Sequence, residues 1–282
     1  MRLVTYALDG HTYAGALLDE TVVDLSDAGD VLRILSDPTA RDRANSLFQV
    51  RTRVLPLRNV RLLAPIQPRA IIGIGLNYRD HVRETGATVP SAPIVFAKFP
   101  NAIAGPGETI TWRAEVARQV DYEAELGVVI GKPCRNVHPE HALEYVGGYT
   151  CVNDLSARDL QFADGGKQWV LGKTLDGFCP VGPAITTTDE IPDPQGLDIR
   201  CLLNGEVVQC SNTREMIFDV RTLIAHLSRY MTLMPGDLIA TGTPAGVGMG
   251  RVPPRWLQDG DLCTVQIERI GALTNIMRVE HP

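Results

Sequence analysis

This sequence of 282 residues lacks the features that mark membrane, nucleic-acid-binding and secreted proteins. No apolar run is long enough for a membrane span, and the first residues lack the apolar core of a signal peptide. The net charge is −6 and no basic block occurs, so the usual electrostatic footprint of a nucleic-acid-binding protein is missing. We therefore expect a cytoplasmic protein with neither a membrane nor a nucleic-acid partner.

Cysteine is sparse and has no pattern. The six cysteines are scattered, and no Cys-x-x-Cys motif occurs. Neither the ligand spacing of a zinc site nor the disulfide framework of a small secreted domain is therefore present. We expect reduced thiols that are mostly buried.

Short strand patterns outnumber helical patterns along most of the chain. An early helical pattern, Asp30–Phe48, is interrupted by Asp37-Pro38 and is expected to form two helices. Further on, Asn204-Gly205 predicts a hairpin turn, and Met216–Tyr230 is the clearest amphipathic helix. The sequence predicts an α+β, β-rich fold that is mostly antiparallel, with a small N-terminal α/β domain (1–65) and a larger β-rich domain (66–282).

Acidic residues cluster at two places in the larger domain. Asp121, Glu123 and Glu125 alternate at the start of a predicted strand, Tyr122–Ile130, and would share one face of it. Crowded carboxylates repel each other and resist desolvation, and a hard divalent cation such as Mg²⁺ or Mn²⁺ relieves both problems. Asp154 is the natural third ligand if its segment lies beside this strand. On the pattern alone, a polar sheet edge remains open as the alternative.

Two pairs of residues that contain histidine are candidates for catalysis or metal binding. His81 and Glu84 are three residues apart in a predicted helix, where a carboxylate can orient an imidazole that acts as a base. A solvated helix face is the alternative. His138 and His141 form a rival metal-binding pair, but Pro139 separates them, and a surface turn is the better interpretation.

Lysines and a glycine-rich segment complete the set of candidates. Lys98 ends an apolar strand, and Lys173 lies beside a turn. Each lysine could neutralise an anionic substrate, and the alternative is that it is an ordinary surface lysine. Residues 234–248 predict a strand that leads into a loop whose backbone N–H groups could bind a carboxylate, or a purely structural corner. The pair Gly73-x-Gly75 resembles the start of a dinucleotide fingerprint, but its third glycine is replaced by Tyr78, so we reject that interpretation.

In this order, the segments resemble the fumarylacetoacetate hydrolase family. The resemblance covers roughly residues 60–270, and any one motif is modest while the ordered set is specific. The matching segments are Gly75-Leu76-Asn77-Tyr78 with His81 and Glu84, Phe96-Ala97-Lys98, Asp121–Leu126, Gly148-Tyr149 with Asn153–Asp159, Lys173 with Asp176-Gly177-Phe178, Leu203–Glu206, and Pro235–Asp237 through Thr241–Gly248.

The resemblance implies a β-roll built on a mixed β-sandwich, assembled as a homodimer. It implies Mg²⁺ or Mn²⁺, with Ca²⁺ as a further possibility, held by Glu123, Glu125 and Asp154, while Asp121 is not counted as a ligand. It also implies that His81 and Glu84, on a lid, activate water. The residues that it implies for holding a 2-oxo-carboxylate substrate are Lys98, Lys173, Thr243 with Gly242, Arg158 and Gln161, of which Lys173 is also expected to be catalytic.

The function implied by the resemblance is metal-dependent hydrolysis of a C–C bond. The expected substrates are acylpyruvates or related 2,4-dioxo acids, which would give pyruvate and a carboxylic acid. The same site could instead serve an oxaloacetate decarboxylase or a 2-oxo-acid hydratase or isomerase. A silent metal- or metabolite-binding protein is the alternative from another class.

Overall fold

The computed structural model describes residues 1–163 and 168–281. The strands are β1 (Arg2–Leu8), β2 (His11–Leu18), β3 (Thr21–Asp24), β4 (Val54–Pro56), β5 (Arg61–Leu63), β6 (Ile71–Gly75), β7 (Ile94–Lys98), β8 (Ile103–Ala104), β9 (Thr109–Arg113), β10 (Val120–Asp121), β11 (Ala124–Ile130), β12 (Val146–Asn153), β13 (Ser156–Ala157), β14 (Cys179–Thr187), β15 (Asp198–Leu203), β16 (Glu206–Asn212), β17 (Leu238–Ala240), β18 (Leu262–Ile267) and β19 (Gly271–Glu280). The α-helices are α1 (Val31–Ser36), α2 (Pro38–Val50), α3 (Arg79–Thr85), α4 (Arg158–Gln161), α5 (Trp169–Lys173) and α6 (Val220–Tyr230). Short 3₁₀ segments cover Ser26–Ala28, Leu57–Asn59, Pro100–Ala102, Pro139–Tyr145, Pro194–Gly196, Thr213–Glu215 and Gly248–Gly250. None of the helices in this described part of the chain is long and apolar enough to cross a bilayer.

Two sheets of the described chain form the main layers. The larger runs in the order β4, β3, β2, β1, β14, β12, β11, β17, β6, β7, with β5 beside β1 and β8 beside β14. The five-stranded sheet runs β16, β15, β18, β19, β9, and β10 pairs with β13 separately. Most pairs are antiparallel; the parallel ones are β6–β17, β8–β14 and β9–β19. The predicted α+β, β-rich and mostly antiparallel fold is confirmed.

Strand β11 is buried along its whole length and separates two cores. Leu126 and Val128 pack in the core that lies against the five-stranded sheet. Val129 packs in the core that includes Val31 and Ile34 of α1. Because both faces of the strand are covered, every residue of β11 is buried, and the carboxylate of Glu125 is placed in the interior.

The N-terminal strands continue the large sheet. Arg2 and Leu3 of β1 pair with Thr186 and Ile185 of β14. Hydrogen bonding therefore runs without a break from residues 1–65 into residues 66–282, and the domain boundary near residue 65 stays a prediction.

The predicted break between two early helices is confirmed. Asp30 caps the first turn of α1 by accepting a hydrogen bond from the Arg33 backbone N–H. Asp37 ends that helix and caps α2, whose first residue is Pro38. Proline is tolerated at the first position of a helix because the N–H that it lacks would have no helical partner there.

The structure confirms one turn and corrects two elements. The predicted hairpin at Asn204-Gly205 is present, with positive φ at both residues, but the sequence analysis missed β19. Asn275 occupies an inward position of that strand, where it donates hydrogen bonds to two backbone carbonyls, so the apolar alternation is broken. Helix α6 begins at Val220 instead of Met216, because Asp219 accepts from the Thr222 N–H and caps it.

Candidate active site

Three acidic side chains meet where two neighbouring strands begin and end. Ala124 at the start of β11 pairs with Asn153 at the end of β12. Glu123 and Glu125 flank the first position, and Asp154 follows the second. Each offers an oxygen within 4.8 Å of those of the other two, and all three are buried. Within residues 1–163 and 168–281, no other cluster of three or more potential metal ligands occurs.

The predicted strand from Tyr122 to Ile130 is wrong at its start. The regular strand begins at Ala124, and Asp121 pairs with Ser156 in a separate two-stranded ladder. Regular pairing is interrupted at Glu123, whose N–H donates to the side-chain oxygen of Asn153 on β12 instead of to a backbone carbonyl. Asp121 is thereby separated from the acidic cluster, as expected for a residue that is not a ligand.

Three buried cations surround the acidic cluster. Lys98 donates to Asp154 and to the carbonyl oxygens of Leu155 and Phe178. Lys173 donates to Glu123 at 2.8 Å, to Asp154 at 2.7 Å and to the Ser156 hydroxyl at 2.7 Å. These contacts use the three hydrogens of each ammonium group. Neither lysine therefore has a spare donor for a substrate while the contacts last.

Arg158 is the third cation and links two carboxylates. Its Nη2 donates to Glu123 Oε1 at 2.6 Å and to Asp121 Oδ2 at 2.9 Å. Its Nε donates to the same oxygen of Asp121, and Nη1 donates to the Gln161 side chain. Buried Asp121, Glu123, Glu125 and Asp154 thus face three cations, which leaves one negative charge unbalanced.

Glu125 is the carboxylate with the fewest partners. Its Oε2 accepts from the Gly242 N–H at 2.9 Å, and its Oε1 has no hydrogen bond within the described chain. Burial, followed by the negative charges of Asp154 and Glu123, raises the pKa of Glu125 well above its ordinary value. A further cation would remove this penalty.

The surroundings of Glu123 have the opposite effect. Burial alone would raise the pKa of Glu123, but the fields of Lys173 and Arg158 outweigh it and lower that pKa. For Lys173, burial alone would lower the pKa, but the negative charges of Asp154 and Glu123 outweigh it and raise that pKa. The three carboxylates offer only oxygen ligands, and the buried set has one unbalanced negative charge. Both properties fit a hard divalent cation such as Mg²⁺ or Mn²⁺.

The histidine–carboxylate pair forms as expected. His81 and Glu84 lie one turn apart on α3, and His81 Nδ1 is 3.0 Å from Glu84 Oε2. Glu84 Oε1 accepts from the Gly246 N–H at 2.8 Å, so the carboxylate is held from two sides. Within the described chain His81 Nε2 has no hydrogen bond, and the side chain lines the cavity beside the acidic cluster. This arrangement is suited to proton transfer.

A cavity of about 260 Å³ joins the two groups. Its volume lies below the usual range for drug-sized ligands and suits a small metabolite. The polar lining consists of His81, Thr85, Glu123, Glu125, Arg158, Gln161, Lys173 and Thr243. Phe96 and Trp169 form an apolar wall, with their ring centroids 5.6 Å apart.

The glycines Gly73 and Gly75 of β6 serve that aromatic wall. A Cβ on Gly73 would collide with the Phe96 ring, and one on Gly75 would lie 2.6 Å from Trp169. Both glycines therefore allow an aromatic ring to lie close to the backbone of β6.

Three of the expected substrate-binding residues make contacts inside the protein. Lys98 is buried behind Asp154 and does not line the cavity. Gly242 offers its N–H to Glu125, as described above. Thr243 lines the cavity, but its hydroxyl donates to the Ala124 carbonyl and accepts from Gln209. Their roles toward a substrate stay predictions.

The sequence analysis missed Gln209 of β16 as a supporting residue. Gln209 Oε1 accepts from the Ala124 N–H, and Nε2 donates to Thr243 and to the Pro244 carbonyl. It comes from the other sheet, and no local motif marks it.

The rival histidine pair lies elsewhere. His138 lies just before a 3₁₀ segment and His141 lies on it; both are exposed, and each is within ion-pair distance of a nearby glutamate, Glu140 and Glu144 respectively. Neither belongs to a cluster of potential ligands, in agreement with the surface interpretation.

Comparison with known proteins gives consistent matches. A family model described as fumarylacetoacetate (FAA) hydrolase, C-terminal, matches residues 70–279. The mitochondrial oxaloacetate tautomerase fahd2 of Xenopus laevis is 48% identical over 238 residues, covering 84% of this chain and 74% of the relative. The fumarylacetoacetate hydrolase of Exiguobacterium antarcticum is 38% identical, with a TM-score of 0.85 over 99% of this chain and all of that one. The maleylpyruvate hydrolase of Sphingobium, solved with manganese(II) and pyruvate, is 31% identical, with a TM-score of 0.83 over 99% of both chains.

Proposed function

The chain belongs to the fumarylacetoacetate hydrolase family, and from this premise we propose that it is a divalent-metal-dependent oxaloacetate tautomerase. The reaction moves a proton between C3 and the 2-oxo oxygen of the substrate, so the keto and enol forms interconvert. The observation that carries the proposal is the His81–Glu84 pair at 3.0 Å, whose His81 lines the same small cavity as Glu123 and Glu125.

His81 is the group that moves the proton. Glu84 accepts a hydrogen bond from the Nδ1–H of the neutral ring, so Nε2 is left as the basic nitrogen. In the keto-to-enol direction Nε2 takes the proton from C3 and delivers it to the 2-oxo oxygen, and in the reverse direction it takes the enol proton and returns it to C3, so the ring is neutral again after each turnover. Because the Gly246 N–H also holds Glu84, the imidazole keeps its orientation through this cycle.

Glu123, Glu125 and Asp154 would hold the cation, for which Mg²⁺ and Mn²⁺ are the candidates. When bound, the cation supplies Lewis-acid polarisation of the 2-oxo group, which makes the C3 proton more acidic. Adding a divalent charge to the buried set would leave one positive charge, which favours an anionic substrate. Lys173 and Arg158 contribute charge at this site while they donate to the carboxylates and to the side chains of Ser156 and Gln161.

Sequence similarity favours oxaloacetate over an acylpyruvate as the substrate. The relative that is 48% identical is named as an oxaloacetate tautomerase, while the hydrolases cited above are 38% and 31% identical. The C–C hydrolase expected from the sequence is the second candidate. The maleylpyruvate hydrolase, which aligns over almost the whole chain, and the His81–Glu84 pair, which could activate water, support it.

A substrate panel separates these functions. The protein with Mn²⁺, and again with EDTA, is given oxaloacetate, acetylpyruvate and fumarylpyruvate, while enol absorbance and NMR spectra are followed. We expect EDTA-sensitive equilibration of keto and enol oxaloacetate without net consumption. Pyruvate with a second carboxylic acid would instead support the hydrolase, and pyruvate with CO₂ a decarboxylase. Absence of any metal-dependent change would contradict the proposal.

We also propose that the protein is a homodimer, formed through the edge of the large sheet. The edge strand β7 exposes Val95. Phe99, which follows this strand, and Leu171 of the neighbouring helix α5 are both more than half exposed. Exposed apolar side chains along a sheet edge are typical of an interface. Light scattering should give twice the chain mass of 30.8 kDa. Phe99→Asp should shift the protein to the monomer, while Val50→Asp on α2 should not; monomeric wild type would contradict the proposal.

A further inference from the structure

Asp121 occupies a junction between the glycine-rich loop and the acidic cluster. It is fully buried, and its two oxygens accept five hydrogen bonds. Oδ1 accepts from the N–H of Tyr122 and of Gly248, and Oδ2 accepts from the N–H of Met249 and from Nε and Nη2 of Arg158. Asp121 does not line the cavity, and none of these hydrogen bonds comes from a candidate ligand.

The loop after β17 uses its backbone to hold carboxylates of the protein. Gly242 N–H binds Glu125, Gly246 N–H binds Glu84, and the N–H groups of Gly248 and Met249 bind Asp121. The sequence predicted a loop that binds a carboxylate, and these carboxylates belong to the chain itself. The loop thus touches both the proton-transfer pair and the candidate metal centre.

Close packing fixes the loop at Gly248. A Cβ at this position would collide with the Arg255 carbonyl oxygen and lie 2.7 Å from Asp121 Oδ1. The loop backbone can therefore approach Asp121 only because residue 248 has no side chain.

Arg158 transmits the position of Asp121 to Glu123. The guanidinium presents a rigid fork of donors that prefers to bind a carboxylate with two parallel hydrogen bonds. Asp121 takes Nε and one hydrogen of Nη2, which leaves a single bond of 2.6 Å from Nη2 to Glu123. Without Asp121, the whole fork is free to turn to Glu123 and to compete with a cation for its oxygens.

We propose that Asp121 is a positioning residue, which anchors the loop and restrains Arg158 so that Glu123 remains available to the metal. This inference rests on the proposed metal-dependent function. It extends that function by a residue that is neither a ligand nor in contact with the substrate cavity.

Asp121→Asn tests the inference, because asparagine keeps the size of the side chain and removes its charge. We expect calorimetry with Mn²⁺ to show an affinity about 10- to 100-fold weaker than that of wild type, the range found when groups behind metal ligands are removed. Glu125→Gln provides a reference for the loss of a ligand.

Asp237→Asn is the matched control for burial and stability. Asp237 is also buried, accepts from a backbone N–H (Met234) and pairs with an arginine (Arg69), but it lies at the far end of β17 from Gly242. We expect both variants to lower the melting temperature in EDTA, while Asp237→Asn keeps its Mn²⁺ affinity within about twofold of wild type. A purely structural role would give the two variants the same affinity.

Each outcome decides one question. Unchanged Mn²⁺ affinity in Asp121→Asn would overturn the positioning role while leaving the proposed function intact. Wild type that binds no Mn²⁺ would overturn the metal-dependent function itself. If Asp121→Asn does not fold, Gly248→Ala tests the same contact from the loop side, with Gly196→Ala, where a Cβ meets open space, as its control.

Discussion

Replacing His81 by asparagine should lower the turnover of oxaloacetate by about 100- to 10,000-fold, the range that a positioned acid–base group contributes. Asparagine is polar and of similar size but cannot accept and return a proton at neutral pH. Because His81 is not one of the three candidate ligands, calorimetric Mn²⁺ affinity should stay close to that of wild type. Enol absorbance at saturating oxaloacetate measures the effect.

The chain contains a matched control for this variant. His141 Nδ1 lies 2.8 Å from Glu144 Oε1, with the same spacing along the chain as His81 and Glu84. That pair is exposed, with about two thirds of each side chain accessible, and it does not line the cavity. His141→Asn should therefore keep wild-type turnover. Turnover by His81→Asn within a few fold of wild type would refute the role of the pair.

Replacing Lys98 by methionine should lower the free energy of unfolding by about 3–5 kcal/mol, the cost of removing one partner from a buried ion pair. The side chain of Lys98 is fully buried, and its ammonium is bonded to Asp154 and to the carbonyls of Leu155 and Phe178. Methionine fills similar volume but leaves both carbonyls without this donor. Urea unfolding in EDTA measures the loss without a contribution from bound metal.

The control for Lys98 is the exposed Lys132. Lys132→Met removes the same charge from the surface, where such changes are usually within about 0.5 kcal/mol. A stability equal to that of Lys132→Met would show that Lys98 does not act as an internal support.

Local patterns in the sequence predicted many of the residues that meet at the site. The spacing of His81 and Glu84 predicted the contact between them, since residues three apart meet on any helix. The ordered set of acidic and glycine motifs indicated the family, which the family match confirms. The alternation of carboxylates before an apolar run pointed to Glu123 and Glu125, although the regular strand begins later than predicted.

Contacts between distant segments were beyond these patterns. Lys98 looked like a substrate-binding residue at the end of a strand, and only the fold shows that its ammonium lies behind Asp154. The glycine-rich loop looked ready for an external anion, but Glu125, Glu84 and Asp121 bind its N–H groups. Gln209 reaches the site from the second sheet and left no signal in the sequence.

The sequence by itself determined the β-rich character, the acidic ligand candidates and the histidine–carboxylate pair, because each depends on residues that are near one another in the chain. Tertiary structure alone decided which carboxylate is paired with which cation. That choice depends on burial and on the hydrogen-bond geometry between segments far apart in sequence, as when Lys98, Asp154 and Phe178 meet. In a low-dielectric interior such contacts determine whether a charge holds another side chain or remains available to a ligand.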